Sequence, residues 1–261
     1  MTSFLPRILE ARRARVEADR AQLGIDELRR EAELLGEPRG FEEALRAPGM
    51  SLIAEFKRAS PSRGDLAPHL DPAVQAVAYE EGGARALSVL TESEFFKGSP
   101  QDLVRAREAT QLPVLWKDFV LDPYQVVQAR SFAADAVLVI VRILDDERLA
   151  EILAETDPLG MTALVEVFDE VDLRRALEAG ARVVGVNHRD LETFEEDPQA
   201  TMRLRKGIPP GVVTVAESAI WMREDVEAYG SIGVDAVLVG EALVRAPDPS
   251  AKVRELLGAD L

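Results

Sequence analysis

Eight short runs of Val, Leu and Ala, each followed by a helix-length polar segment, recur from residue 51 to the end of the chain, and no other feature limits the fold so sharply. The runs are SLIAEFK from 51, ARALSVL from 84, PVLWKDF from 113, DAVLVIV from 135, TALVEV from 162, RVVGVN from 182, VVTVAES from 212 and DAVLVG from 235. None has a clean polar face, the pattern of parallel strands covered on both sides. Helices are expected between them at 72–81, 101–109, 123–130, 145–154, 170–179, 198–206, 220–229, and at 242–245 with 251–257. Asp71-Pro72, Asp122-Pro123 and Asp197-Pro198 each set a cap residue ahead of a proline suited to the first helical position. Glycines in GGARA, AGARV and SIGVDAV fall where helices should stop. Eight such pairs in about 210 residues predict an α/β fold, a closed (β/α)8 TIM barrel in preference to an open doubly wound sheet. No linker interrupts the series, so residues 1–261 are read as a single domain.

Residues 1–48 precede the first run and read as a helical N-terminal extension. Phe4, Leu5, Ile8 and Leu9 open an amphipathic stripe, and further short helices are expected at 25–35 and 41–47. Packing against one end of the core is the favoured role, a lid over a pocket the alternative.

Composition removes several classes of function. The formal net charge of −16 argues against a nucleic-acid surface, which needs a basic stripe. There is no cysteine, which excludes a thiol nucleophile, a Cys-based zinc site and a disulfide framework. The two histidines, His69 and His188, stand singly, and either is a candidate general base. Apolar runs are too short to cross a membrane and the N-terminus lacks the form of a signal sequence, so a cytoplasmic location is expected. Only five of the 31 basic residues are lysines: Lys57, Lys97, Lys117, Lys206 and Lys252. Lysine can be tuned to donate a proton, which arginine cannot.

In a barrel the active site lies at the carboxyl ends of the strands. Here the first strand ends in Glu55 and Lys57, the third in Lys117, Asp118 and Phe119, and the fifth in Glu166. Asn187, followed by Arg189, ends the sixth, and Glu217 and Ser218 end the seventh. Alternation places Leu115 with Lys117, Leu164 with Glu166 and Gly185 with Asn187 on the interior face. A local salt bridge accounts for one charged strand end, Glu55 with Lys57 for example. Five converging on one mouth are a costly way to build a core and point to a ligand. Helices are expected to start near Ala219 and at Glu241, after the last two strands, where barrels commonly hold a phosphate on backbone N–H groups. Gly240 would permit close approach and Ser218 would offer a hydroxyl; alternatively Gly240 only ends a strand.

Together AEFKRASPSRG, LTESEFFKGS, LWKDF, ALVEV, GVNHRDL, VAESAI and VLVGEAL occur in the order found in indole-3-glycerol phosphate synthases, and the chain resembles that family over nearly its whole length. The resemblance implies a carboxy-lyase of tryptophan biosynthesis. Its substrate would be 1-(2-carboxyphenylamino)-1-deoxyribulose 5-phosphate, cyclised with loss of CO2 and water to indole-3-glycerol phosphate. It further implies Lys117 as general acid, Glu166 as general base, and Glu55 with Asn187 positioning the lysine and the substrate hydroxyls. Lys57, Ser60 and Arg189 would anchor anionic groups, Phe96 and Phe119 would flank the anthranilate ring, and Glu217 would contact substrate. Ser218, Ala219, Gly240 and Glu241 would hold the phosphate. No metal or organic cofactor is implied, no nucleic-acid or membrane partner, and a monomer or weak homo-oligomer is expected. Cations confined to the mouth would draw a polyanionic substrate to an acidic protein. Acids such as Glu55 should keep Lys117 charged. Two positions depart from the family pattern. Ala219 replaces a usual glycine, unfavourably if its φ is positive, and Glu241 stands where some relatives carry Ser or Thr, so its carboxylate should turn away from the phosphate. A sugar-phosphate isomerase barrel and a catalytically silent metabolite-binding barrel are the rival readings. The isomerases most similar rely on a cysteine or paired aspartates, and the intact Lys117 and Glu166 argue against silence.

Overall fold

The computed structural model describes residues 4–61, 63–191, 193 and 195–258, so the first three residues of the expected extension and Ser62 of the SPSRG loop lie outside the described residues. Three helices come first: α1 (Phe4–Gln22), α2 (Ile25–Glu33) and α3 (Phe41–Leu45). Then follow β1 (Ser51–Phe56), a short ribbon of β2 (Ala59–Ser60) and β3 (Gly64–Asp65), α4 (Pro72–Gly82), β4 (Ala86–Leu90), α5 (Pro100–Ala109), β5 (Val114–Lys117) and α6 (Pro123–Ser131). The second half runs β6 (Ala136–Ile140), α7 (Asp146–Thr156), β7 (Thr162–Val167), α8 (Glu170–Glu178), β8 (Val183–Asn187), α9 (Ala200–Leu204), β9 (Val213–Glu217), α10 (Arg223–Ser231), β10 (Ala236–Val239), α11 (Glu241–Val244) and α12 (Pro249–Leu257). The strands β1-β10-β9-β8-β7-β6-β5-β4 close into a barrel, with β1 paired in parallel to both β10 and β4. This is the (β/α)8 architecture that the alternation predicts.

Local chemistry sets most of the boundaries. Asp71 accepts from the N–H groups of Ala73 and Val74, and Asp122 from Tyr124, each ahead of a proline in the first turn. Asp197 behaves differently: its carboxylate accepts from Gln199 N–H, and α9 starts only at Ala200, so the third Asp-Pro pair forms a turn before the helix and does not cap it. Gly83, Gly180 and Gly233 adopt φ of 98°, 87° and 80°, left-handed turns that let each chain leave its helix for the next strand. The helix expected near Ala219 begins at Arg223 instead, after Ser218 and Ala219 have both taken positive φ.

Alternation along the strands divides the core in two. Ile53, Leu115, Leu138, Leu164, Val215 and Leu238 fill the barrel, whereas Leu52, Ala54, Trp116, Val165 and Val237 face the surrounding helices. Phe41 and Leu45 of α3 are buried in the interior cluster from the end where β1 begins. At the opposite end, Leu5 and Ile8 of α1 join the same cluster beside Phe119 and Phe168, which follow β5 and β7. Val16 of α1 and Leu28 of α2 pack on Tyr124 and Val127 of α6. The extension is therefore packed on the barrel, as favoured, and its first helix also borders the strand ends. Among the described residues, no helix is long and apolar enough to cross a membrane.

Candidate active site

Because β5 points Leu115 and Lys117 inward, the Lys117 ammonium rises from the barrel floor with its stem in apolar surroundings. Glu217 Oε2 of β9 lies 3.1 Å from Lys117 Nζ and Glu166 Oε2 of β7 lies 3.5 Å away. Burial works against the ammonium, but the carboxylates of Glu217, Glu166 and Glu55 overcome it and raise the Lys117 pKa. Glu217 is pushed up to about 7, chiefly by burial, with Lys117 pulling the other way. The second oxygens, Glu166 Oε1 and Glu217 Oε1, are buried and take no hydrogen bond from the protein.

Gly185 of β8 makes room for this arrangement: a Cβ there would fall 2.0 Å from Glu217 Oε1. Gly240 does the same for Glu55, whose Oε1 would lie 2.3 Å from an added Cβ. The sequence suggested that Gly240 admits a ligand; the first thing it admits is a protein carboxylate. Glu55 pairs with Lys57 at 2.8 Å, and although burial opposes its ionisation, Lys57, Lys117 and Arg189 hold its pKa below the ordinary value. Glu55 acts on Lys117 only through space; the group in hydrogen-bond contact with the lysine is Glu217.

These groups line a cavity that also includes Ser60, Phe96, Phe119, Asn187, Arg189, Ser218, Ala219, Gly240 and Glu241, so the residues expected at the strand ends are brought to one mouth. Phe96 and Phe119 face each other with ring centroids 6.1 Å apart on one wall. Asn187 Oδ1 accepts from Ser218 Oγ at 2.8 Å and from Arg189 N–H at 3.0 Å, tying β8 to the loop after β9. Ser218 and Ala219 have φ of 69° and 54°, so the methyl of Ala219 sits where glycine would be easier. Glu241 turns its carboxylate to Arg245 at 2.8 Å, with Arg63 and Arg189 at 3.7 and 3.9 Å.

Sequence reasoning missed several contributors. Glu92, after β4, accepts backbone N–H bonds from Glu94, Phe95 and Phe96 and so shapes the loop that carries the aromatic wall. An acid two residues past a strand end in LTESEFF was the available signal. Asp118, noted at its strand end but given no role, is buried beside Arg12 of α1 at 3.0 Å, and burial pushes it up to about 6 despite that partner. Nothing in the sequence marked Arg12 among the charges of ARRAR. The expectation of a cationic mouth is not met: Lys57, Lys117 and Arg189 share the lining with seven carboxylates. His188 lies behind the mouth, buried against Thr201 and Tyr229, and is no base for a bound substrate. Among the described residues, no three metal-binding side chains gather closely enough to hold an ion.

A family model described as indole-3-glycerol phosphate synthase matches residues 5–256. Proteins of that name from Mycobacterium ulcerans and Mycolicibacterium smegmatis are 50% and 49% identical to the chain over 257 residues, spanning 98% of it and 94% of each of them. Among solved structures, 3-hexulose-6-phosphate synthase from Salmonella typhimurium aligns with a TM-score of 0.66 over 80% of this chain and 97% of that one, at 17% identity. KGPDC from Streptococcus mutans aligns with a TM-score of 0.62 over 79% and 95%, at 10% identity. At such identities the likeness is one of fold.

Proposed function

The chain belongs to the indole-3-glycerol phosphate synthase family, and we propose that its barrel mouth closes the indole ring of 1-(2-carboxyphenylamino)-1-deoxyribulose 5-phosphate by proton transfer among Lys117, Glu166 and Glu217. The observation that carries this reading is the Lys117 ammonium held between two buried carboxylates, with an aromatic wall on one side and the loops after β9 and β10 on the other. The anthranilate ring lies against Phe96 and Phe119, the ring carboxylate and ribulose hydroxyls meet Lys57, Arg189 and Asn187, and the phosphate lies on the backbone at Ser218–Ala219 and Gly240–Glu241.

Ring closure forms a bond from the aromatic carbon bearing the carboxylate to the ribulose carbonyl carbon, and the oxygen that gains charge takes a proton from Lys117. The carboxylate then leaves as CO2 and its bonding pair restores the aromatic ring. In the last step the hydroxyl takes a second proton and departs as water, while Glu166 removes a C–H proton from the new five-membered ring. Two protons are delivered and one is recovered, so each turnover consumes one proton. At 3.5 Å from Lys117, Glu166 is placed to return its proton to the lysine. Glu217 keeps Lys117 charged and aimed until the substrate oxygen competes for the proton.

The test is a fluorescence assay of the purified protein with the carboxyphenylamino-deoxyribulose phosphate, without added metal or cofactor. Indole emission that rises and survives chelator is expected; tight, phosphate-dependent binding without emission would replace this reading with that of a metabolite-binding barrel.

A further inference from the structure

Two consecutive non-glycine residues in the left-handed region, Ser218 and Ala219, need something outside the loop to hold them there. Asn187 Oδ1 accepts from the Ser218 hydroxyl, and His188 meets the Ser218 carbonyl. Its Nδ1 lies 2.9 Å from the Ser218 carbonyl oxygen and its Nε2 lies 2.6 Å from Thr201 Oγ1. A carbonyl only accepts, so Nδ1 carries the proton, Nε2 is left as acceptor, and the Thr201 hydroxyl donates to it. Burial keeps the ring pKa below the ordinary histidine value, consistent with this neutral tautomer. The ring is stacked on Tyr229 of α10 with centroids 5.2 Å apart, and Thr201 belongs to α9, so two elements outside the barrel fix its orientation.

A trans peptide is planar, with C=O and N–H on opposite edges. Turning the Ser218 carbonyl toward the buried ring therefore turns the Ala219 N–H away from it, toward the cavity that both residues line. We propose that His188 is a positioning residue that, through the Ser218 carbonyl, aims the Ala219 N–H at the phosphate of the substrate. This rests on the phosphate site described above. Without the imidazole, rotation of the Ser218–Ala219 peptide would carry Ala219 to negative φ, relieve its strain, and present a carbonyl oxygen to the dianion in place of the N–H.

The experiment is steady-state kinetics of the full chain with inorganic phosphate as a competitive inhibitor. For His188→Leu, KM and the phosphate inhibition constant are expected to rise together by about tenfold, the scale of one lost charge-assisted hydrogen bond, while kcat stays within about threefold. His188→Asn, whose amide nitrogen reaches the place of Nδ1, restores both constants. Ala219→Gly in the His188→Leu background recovers much of the loss, because glycine holds positive φ without strain. Equal losses in the Leu and Asn variants, or no recovery from Ala219→Gly, overturn the proposal in favour of simple packing. Should His188→Leu fail to fold, Thr201→Val frees the ring to take the other tautomer and is expected to weaken phosphate binding severalfold, an unchanged inhibition constant being the refuting result. If phosphate does not compete with substrate in the unaltered protein, the phosphate site itself is misassigned and this proposal falls with it.

Discussion

Replacing Gly185 with alanine should disable the site without replacing any side chain that meets substrate. The added Cβ would lie 2.0 Å from Glu217 Oε1, 3.1 Å from its Cδ and 3.2 Å from Leu164 Cδ1. An ordinary contact needs about 3.4 Å, so the carboxylate must withdraw by roughly 1.4 Å. Glu217 holds Lys117 at 3.1 Å, and a withdrawal of that size takes the pair beyond hydrogen-bond reach. Misplacement by about 1 Å costs on the order of 10²-fold in rate, and that loss is expected in kcat. Overpacking should also lower stability by about 1–3 kcal/mol, leaving a folded enzyme to assay. Indole emission gives kcat and a thermal melt gives the folded fraction. Combining Gly185→Ala with Glu217→Ala removes the clash, so the double variant should be no slower than Glu217→Ala alone. A Gly185→Ala enzyme within threefold of the parent kcat, or losses that multiply in the double variant, would refute the idea that Gly185 exists to seat Glu217.

Lys117→Ala should lower turnover by about 10²–10⁴-fold while product affinity, measured by fluorescence titration, largely survives; undiminished turnover would reassign the acid. Glu217, raised to about 7, contributes stability below its unfolded value near 4.5 that is lost as pH rises through 7. Glu217→Gln cannot ionise, so its unfolding free energy from urea titration should match the parent near pH 4 and exceed it by at most about 3 kcal/mol at pH 8, whereas a pH-independent difference would contradict the burial argument. Arg12→Met strands the Asp118 carboxylate and should cost about 3–5 kcal/mol at pH 8. Asp118 is raised to about 6, so that deficit should shrink by pH 5 as the acid takes its proton, and an equal deficit at both pH values would count against the pair.

Barrel topology was legible because the strands are predominantly apolar and helices such as α4 and α6 carry a local start signal. Inward placement of Lys117, Glu166 and Asn187 followed from alternation alone, since a period of two leaves no freedom once the apolar set is assigned. What alternation cannot supply is which charges meet across the mouth, because that depends on barrel stagger. Leu238 of β10 and Asn187 of β8 both register with Glu217, and this brings Glu217 to Lys117, while Glu55 is taken by its own near neighbour Lys57. Gly240 was legible only in part for the same reason: a glycine at a strand end says that something approaches, and the first neighbour is the Glu55 carboxylate. The α10 start was placed four residues early because Ser218 and Ala219 carry no glycine to advertise positive φ.

An acidic mouth for an anionic substrate is coherent once each carboxylate is followed to its partner. Glu92 is bound by three backbone N–H groups, Glu55 by Lys57, Glu241 by Arg245 and Asp190 by Arg142. Asp118 and Glu217 are raised toward neutrality by burial and hold protons for part of the time near pH 7. A broad positive field is therefore not what would draw the substrate in, and the proposed phosphate site relies on short-range recognition by peptide N–H groups whose direction is set by the fold. The same carboxylates then serve the proposed chemistry. A reaction that delivers two protons and recovers one needs proton-carrying groups side by side, and Glu166 and Glu217 both lie within hydrogen-bond or ion-pair reach of Lys117. Local positive charge at the mouth would favour binding but would also lower the proton affinity of Lys117 and Glu217, so the surplus of acids around the lysine is what lets it keep its proton until the carbonyl oxygen asks for it.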